Sequence, residues 1–203
     1  MTRLFLIASL IAPLAAKADF ATELAWAAEE RATHRVIYDP SYVRLAYPMG
    51  DVANDRGVCT DVVIRALRDA WEIDLQVAVN RDMKADFGAY PKIWGLSTTD
   101  RNIDHRRVPN LETLLRRVGA AAGPSADPAD FETGDIVSWR LTGSNLPHIG
   151  IVAEARSEDG LRPLVTHNIG WGTRTEDILF DHDMVLRARL DADARARLAA
   201  LAR

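Results

Sequence analysis

Gly57-Val58-Cys59-Thr60-Asp61-Val62-Val63-Ile64-Arg65-Ala66-Leu67 is the stretch from which the fold can be read. From Cys59 onward, apolar residues fall at 62, 63, 66, 67 and 70, one face of a helix, and the thiol stands in its first turn. A cysteine there meets unpaired backbone N–H groups and the positive end of the helix dipole, and both favour thiolate. Gly57 allows a tight turn into the helix. The plainer alternative is a buried structural thiol.

Upstream of this helix, 22–32 is an Ala- and Glu-rich helix, 36–38 a strand-like run, and 39–41 and 51–57 turn and loop. Downstream, 77–87 is mixed and 90–109 is loop. Asn110 is placed to cap a helix carrying Leu111, Leu114, Leu115 and Val118. From Gly134 the period shortens, predicting strands at 135–139, 149–153, 164–167 and 185–190, with an Ala/Arg/Leu helix after 191. Helices first and strands second suit an α+β domain in which a helix packs on an antiparallel sheet.

The start of the chain bears on compartment. Met1-Thr2-Arg3 is a short positive start, 4–14 is an apolar run, and Ala16-Lys17-Ala18 ends it with small residues at the spacing of a cleavage site. Residues 1–18 therefore read as a secretory signal peptide cleaved after Ala18, leaving 19–203 as one domain with its core at about 36–190. The run falls short of the roughly 20 apolar residues a bilayer span needs. The expectation is a periplasmic or secreted protein without stable membrane insertion after cleavage. With 25 basic and 29 acidic side chains mixed along the chain, no basic patch offers a footprint for nucleic acid. The one cysteine cannot pair within the chain, so it is a partner for another chain, a buried bystander or a reactive thiol.

Two histidines are placed for chemistry. His148 follows the loop Thr142-Gly143-Ser144-Asn145-Leu146-Pro147 and opens the apolar strand Ile149-Gly150-Ile151-Val152, where a titratable ring at a sheet edge can act as a base. His167 lies in Thr166-His167-Asn168, a polar ending for a strand that begins Leu164-Val165. A third polar group orienting the base is what a Cys–His pair needs. His167 and Asn168 point to opposite faces of a strand, so only one can reach His148. His105, in Asn102-Ile103-Asp104-His105-Arg106-Arg107, either lines a substrate groove or sits in a solvated loop. His34 and His182 have no such company, and no paired ligand spacing supports a metal, so neither metal nor cofactor is expected.

These motifs carry a resemblance. Tyr47-Pro48-Met49-Gly50 with Gly57-Val58-Cys59 resembles the nucleophile segment of NlpC-type papain-like peptidoglycan peptidases. Gly134-Asp135-Ile136-Val137-Ser138-Trp139 resembles the strand preceding that family's histidine, and His148-Ile149-Gly150-Ile151-Val152 resembles the histidine strand. Three motifs in that order cover roughly 47–170. More closely, Gly57-Val58-Cys59-Thr60-Asp61-Val62-Val63, the 102–110 segment and His167-Asn168-Ile169-Gly170 resemble an uncharacterised bacterial family labelled a domain of unknown function, at the edge of the same superfamily. The sequence departs from typical NlpC enzymes in having Thr60-Asp61 in place of Ser-Gly, and in the about 75 residues between Cys59 and Gly134.

The resemblance implies a papain-like NlpC-type fold, with a catalytic helix on a central antiparallel sheet. It implies an exported hydrolase cutting amide bonds in peptidoglycan peptides through a thioester. Cys59 would be the nucleophile, His148 the base, and His167, or alternatively Asn168, the orienting group. Tyr47 and the Cys59 N–H would stabilise the oxyanion. Asp61 would bind a substrate amine or brace the loop before it, and Thr60, Trp94 and His105 are further candidates for substrate contact. Competing readings are an acyltransferase with the same triad and a non-catalytic cell-wall-binding module.

Overall fold

The computed structural model describes residues 19–203; the signal-peptide expectation for 1–18 lies outside the described residues. The described residues form a mixed α+β domain with five α-helices and a six-stranded antiparallel sheet. Helix α1 (Phe20–Ala32) starts on Asp19, whose carboxylate accepts from Thr22 N–H at 2.9 Å. Strands β1 (Ile37–Tyr38) and β2 (Arg56–Gly57) pair in parallel outside the main sheet and lead into helix α2 (Cys59–Trp71). Helices α3 (Leu75–Ala85) and α4 (Val108–Arg117) follow. Then come β3 (Ala121–Ala122), β4 (Ile136–Arg140), β5 (Pro147–Arg156), β6 (Pro163–Asn168), β7 (Thr173–Glu176), β8 (Asp183–Ala188) and helix α5 (Ala192–Leu201). The strand order is β3-β8-β4-β5-β6-β7.

Alternation along β4 and β5 divides the apolar residues between two cores. Ile136, Ile149 and Ile151 face the helices and pack with Cys59, Val62, Val63, Ala66 and Leu67 of α2. Val137, Trp139 and Val152 face the other way and pack with Phe131, Val165 and Leu179. Each such Ile or Leu contributes about 1.5–3 kcal/mol by burial, which is what fixes α2 across β5. Helix α4 is pinned to β4 by Glu112, which accepts from Ser138 Oγ at 2.8 Å and from both Nη atoms of Arg140 at 2.8 and 3.0 Å.

The expected helices and strands are present, with two corrections and four additions, among them the two-residue strands β2 and β3 in stretches read as loop. Asn110 is not a cap: α4 begins at Val108, and Asn110 is buried with Nδ2 donating to the Asp104 carbonyl at 3.0 Å. Gly57 does not turn the chain. It is extended in β2, and what it supplies is space, because a Cβ there would lie 3.1 Å from Asp61 Cβ. Helix α3 gives no amphipathic period because Gln76, Asn80 and Asp82 are buried along with Leu75, Val77 and Val79. Strand β7, polar throughout as Thr173-Arg174-Thr175-Glu176, is the second element without an apolar signal.

Candidate active site

Cys59 is the first residue of α2, and Val58 before it has no side-chain acceptor to cap the helix. Asp61 supplies the missing link by reaching back, its Oδ2 accepting from Val58 N–H at 2.7 Å. The same carboxylate takes two parallel bonds from Arg106, Nε to Oδ1 and Nη2 to Oδ2, each 2.9 Å. Both side chains are only 3% exposed, so this is a fully buried ion pair. Asp61 therefore braces the loop and is not free to bind a substrate amine. Thr60 is likewise buried, its hydroxyl donating to the Arg106 carbonyl at 3.2 Å, and it does not face a substrate. Arg106 is the tie that the sequence did not make legible; its place in the polar run Asp104-His105-Arg106-Arg107 gave no hint of a buried partner.

Beside Cys59 opens a cleft of about 240 Å³, walled by Tyr38, Val58, Trp94, Ile103, Arg107, Val108, Pro109 and Pro147. Trp94 stands in this wall, with the Arg107 guanidinium 4.2 Å over its ring. His105 does not line the cleft. It is buried beside Arg106, Arg68, Asp74 and Asp51, and burial first, then Arg106, holds its pKa down at about 4. Tyr47 is also displaced from its expected role: its hydroxyl lies 3.5 Å from Asn80 Oδ1 on α3 and Arg101 sits over its ring. The tyrosine near the thiol is Tyr38, brought there by the β1–β2 pairing of Tyr38 with Gly57. Burial raises its pKa, and Cys59 (once ionised) and Asp61 nearby act in the same direction.

Strands β5 and β6 pair with Gly150 opposite His167. A Cβ on Gly150 would come within 2.7 Å of Val165 Cγ1 and 2.9 Å of the Thr166 carbonyl, so glycine is what lets the strands close here. His148 Nε2 then lies 3.0 Å from His167 Nδ1, the rings edge-to-face, with His148 stacked on Trp139 at 5.8 Å between centroids. Asn168 points to the opposite face, donating to the Gly57 carbonyl at 3.3 Å. Of the two candidates it is His167 that reaches His148. Burial, with His167 and His182 adding to it, holds the His148 pKa down at about 3, so its ring is neutral at neutral pH. His148 Nδ1 has no hydrogen-bond partner among the described residues.

The thiol and this histidine pair approach β5 from opposite sides. Ile149 shares the core of Cys59, whereas His148 stacks on Trp139 of the second core. Cys59 still packs in one core with Ile149, the residue that follows His148 on the strand, and the Ile149 N–H is among the groups that favour its anion. No Cys59–His148 hydrogen bond forms. The expectation of a lowered thiol pKa is also corrected: burial pushes Cys59 up to about 12, outweighing the N–H groups of Ile149, Thr60 and Cys59 that favour the anion. Both groups of the expected pair are thus neutral at rest.

A thiol at the head of a buried helix, a cleft beside it and a histidine pair at the mouth of the adjoining strand define the site. The chain belongs to the family described as "Domain of unknown function (DUF1287)", whose profile matches residues 25–190. It is 53% identical over 150 residues to the "Uncharacterized protein YijF" of Escherichia coli (strain K12), covering 74% of this chain and 72% of that protein. No solved structure matches it.

Proposed function

We propose that this chain is a cysteine hydrolase of the papain-like, NlpC type that cleaves amide bonds in peptidoglycan peptides, with Cys59 as nucleophile and His148 as base. The observation that carries the reading is the packing of Cys59, at the head of α2, with Ile149 of β5, the residue next to His148, whose Nε2 is held by His167 while Nδ1 stays open. With thiol and imidazole both neutral, activation is by general base as the substrate arrives, not by a standing ion pair. Because the two groups do not touch at rest, the thiol proton passes to His148 Nδ1 by way of a water at the mouth of β5 as sulfur bonds the amide carbon, and the C–N bond then breaks with that proton leaving on the amine. Water next hydrolyses the thioester, releasing the carboxylic acid and restoring the thiol. The N–H of Cys59, among the first of α2 and without an intrahelical partner, and the Tyr38 hydroxyl would hold the oxyanion. Asn168, bonded to Gly57, would brace the loop and not the base. Export to the periplasm or beyond is the part of this proposal that rests on residues 1–18.

Mass spectrometry of muropeptides incubated with the purified protein tests the reading, beside Cys59→Ala. The expected result is a gain of one water across an amide bond, abolished in the variant. Products bearing an added amine in place of water would make the enzyme an acyltransferase. Cleavage that survives in Cys59→Ala, or intact muropeptides with folded wild type, overturns the assignment.

A further inference from the structure

We propose that Glu176 is a positioning residue that sets the tautomers of both histidines and so leaves Nδ1 of His148 as its free basic nitrogen. His167 Nε2 is buried and has no other hydrogen-bond partner among the described residues. The Glu176 carboxylate lies 3.2 Å away through Oε2, somewhat off the ideal donor line. The placement follows from the strand register: Glu176 stands opposite Val165 in the β6–β7 pair, on the face His167 shares, so it is the diagonal neighbour of that ring. Its other oxygen is 3.5 Å from Arg174 Nη1, which leaves Oε2 turned to the histidine.

A carboxylate accepts and cannot donate, so it requires the proton of His167 to sit on Nε2. His167 Nδ1 is then a lone pair, and the 3.0 Å contact to His148 Nε2 can be a hydrogen bond only if His148 donates from Nε2. That places the free lone pair of His148 on Nδ1, the nitrogen the reaction needs to receive the thiol proton. Without Glu176 the chain of three can reverse: His167 donates from Nδ1, His148 accepts at Nε2, and its own proton moves to Nδ1, where it cannot act as base. The inference rests on the catalytic reading for its consequence, but the tautomers exist whether or not that reading holds.

Long-range 1H–15N correlation spectra of the imidazoles at pH 7.5 decide it, run on wild type, Glu176→Ala and Glu176→Gln. Wild type should show His148 and His167 each protonated at Nε2. Glu176→Ala should shift both toward the Nδ1-protonated form and lower muropeptide kcat by ~10-fold or more with KM little changed. Glu176→Gln, which can still accept through its amide oxygen, should hold the wild-type tautomers better than alanine. A wild-type His148 protonated at Nδ1, or spectra unaltered in Glu176→Ala, overturns the proposal. Activity that survives Cys59→Ala would instead sink the catalytic reading and leave the tautomer result standing.

Discussion

Asp61→Ala tests the buried tie beneath Cys59. Two terms add. Removing the carboxylate leaves the Arg106 guanidinium, 3% exposed, without its two-bond partner, which costs about 3–5 kcal/mol in such settings. The Val58 N–H loses its 2.7 Å acceptor at the helix start, worth about 1 kcal/mol more. The sum, roughly 4–6 kcal/mol, is a large share of the 5–15 kcal/mol that holds a typical domain. At this size it lowers the melting temperature by about 10–20 °C. Urea titrations of Asp61→Ala, Arg106→Met and the double variant, followed by tryptophan fluorescence, form the cycle. The double variant should be more stable than Asp61→Ala alone, because it removes the stranded charge. If Asp61→Ala costs less than about 1 kcal/mol, or the two changes simply add, the pair is not the buried tie described.

The remaining expectations are briefer. Cys59, pushed up to about 12 by burial, should react with iodoacetamide at pH 7.5 more slowly than a free thiol with its ordinary value of about 8.5; a rate already at plateau by pH 8 contradicts this. His105 and His148 have folded pKa values of about 4 and about 3, below the ordinary 6.5. Their stabilisation is therefore complete above pH 6.5 and is lost as pH falls toward the folded values, by up to ~1.4 kcal/mol per pH unit for each. Urea midpoints that do not drop between pH 7.5 and pH 5 rule this out. Gly150→Ala should force β6 away from β5 at a cost of about 1–3 kcal/mol and shift the His148 and His167 ring resonances; wild-type stability and spectra would show that the strands have room to spare.

What was legible in the sequence follows physical lines. Helix α2 and strands β4, β5 and β6 announced themselves because each has one apolar face or a buried apolar run. The His148–His167 meeting was legible too, since strand alternation leaves only one of His167 and Asn168 on the right face. The misread residues are those whose partners lie far along the chain. Asp61 and Thr60 meet Arg106 some 45 residues on, and Tyr47 meets Asn80 on a helix with no visible period. Tyr38 reaches the cleft through a two-residue pairing too short to leave a pattern. Glu176 sits in a strand of polar residues, where nothing local distinguishes a histidine's partner from a solvated side chain.

The two-residue ladder of β1 and β2 has a consequence for how the cleft opens. Cys59 is anchored in the main core, and its amide neighbourhood can be released only by a large, cooperative disruption of α2 and β5. Tyr38 hangs on two paired residues and a few loop contacts, the bonds from Ile37 N–H to the Asp55 carbonyl and from Asp39 N–H to the Gly57 carbonyl among them. Such a flap sits at the low end of the range of opening free energies within one domain. The thiol and the Tyr38 wall of the cleft thus belong to different units of cooperativity, and the cleft can be widened by lifting that wall while the thiol stays in register.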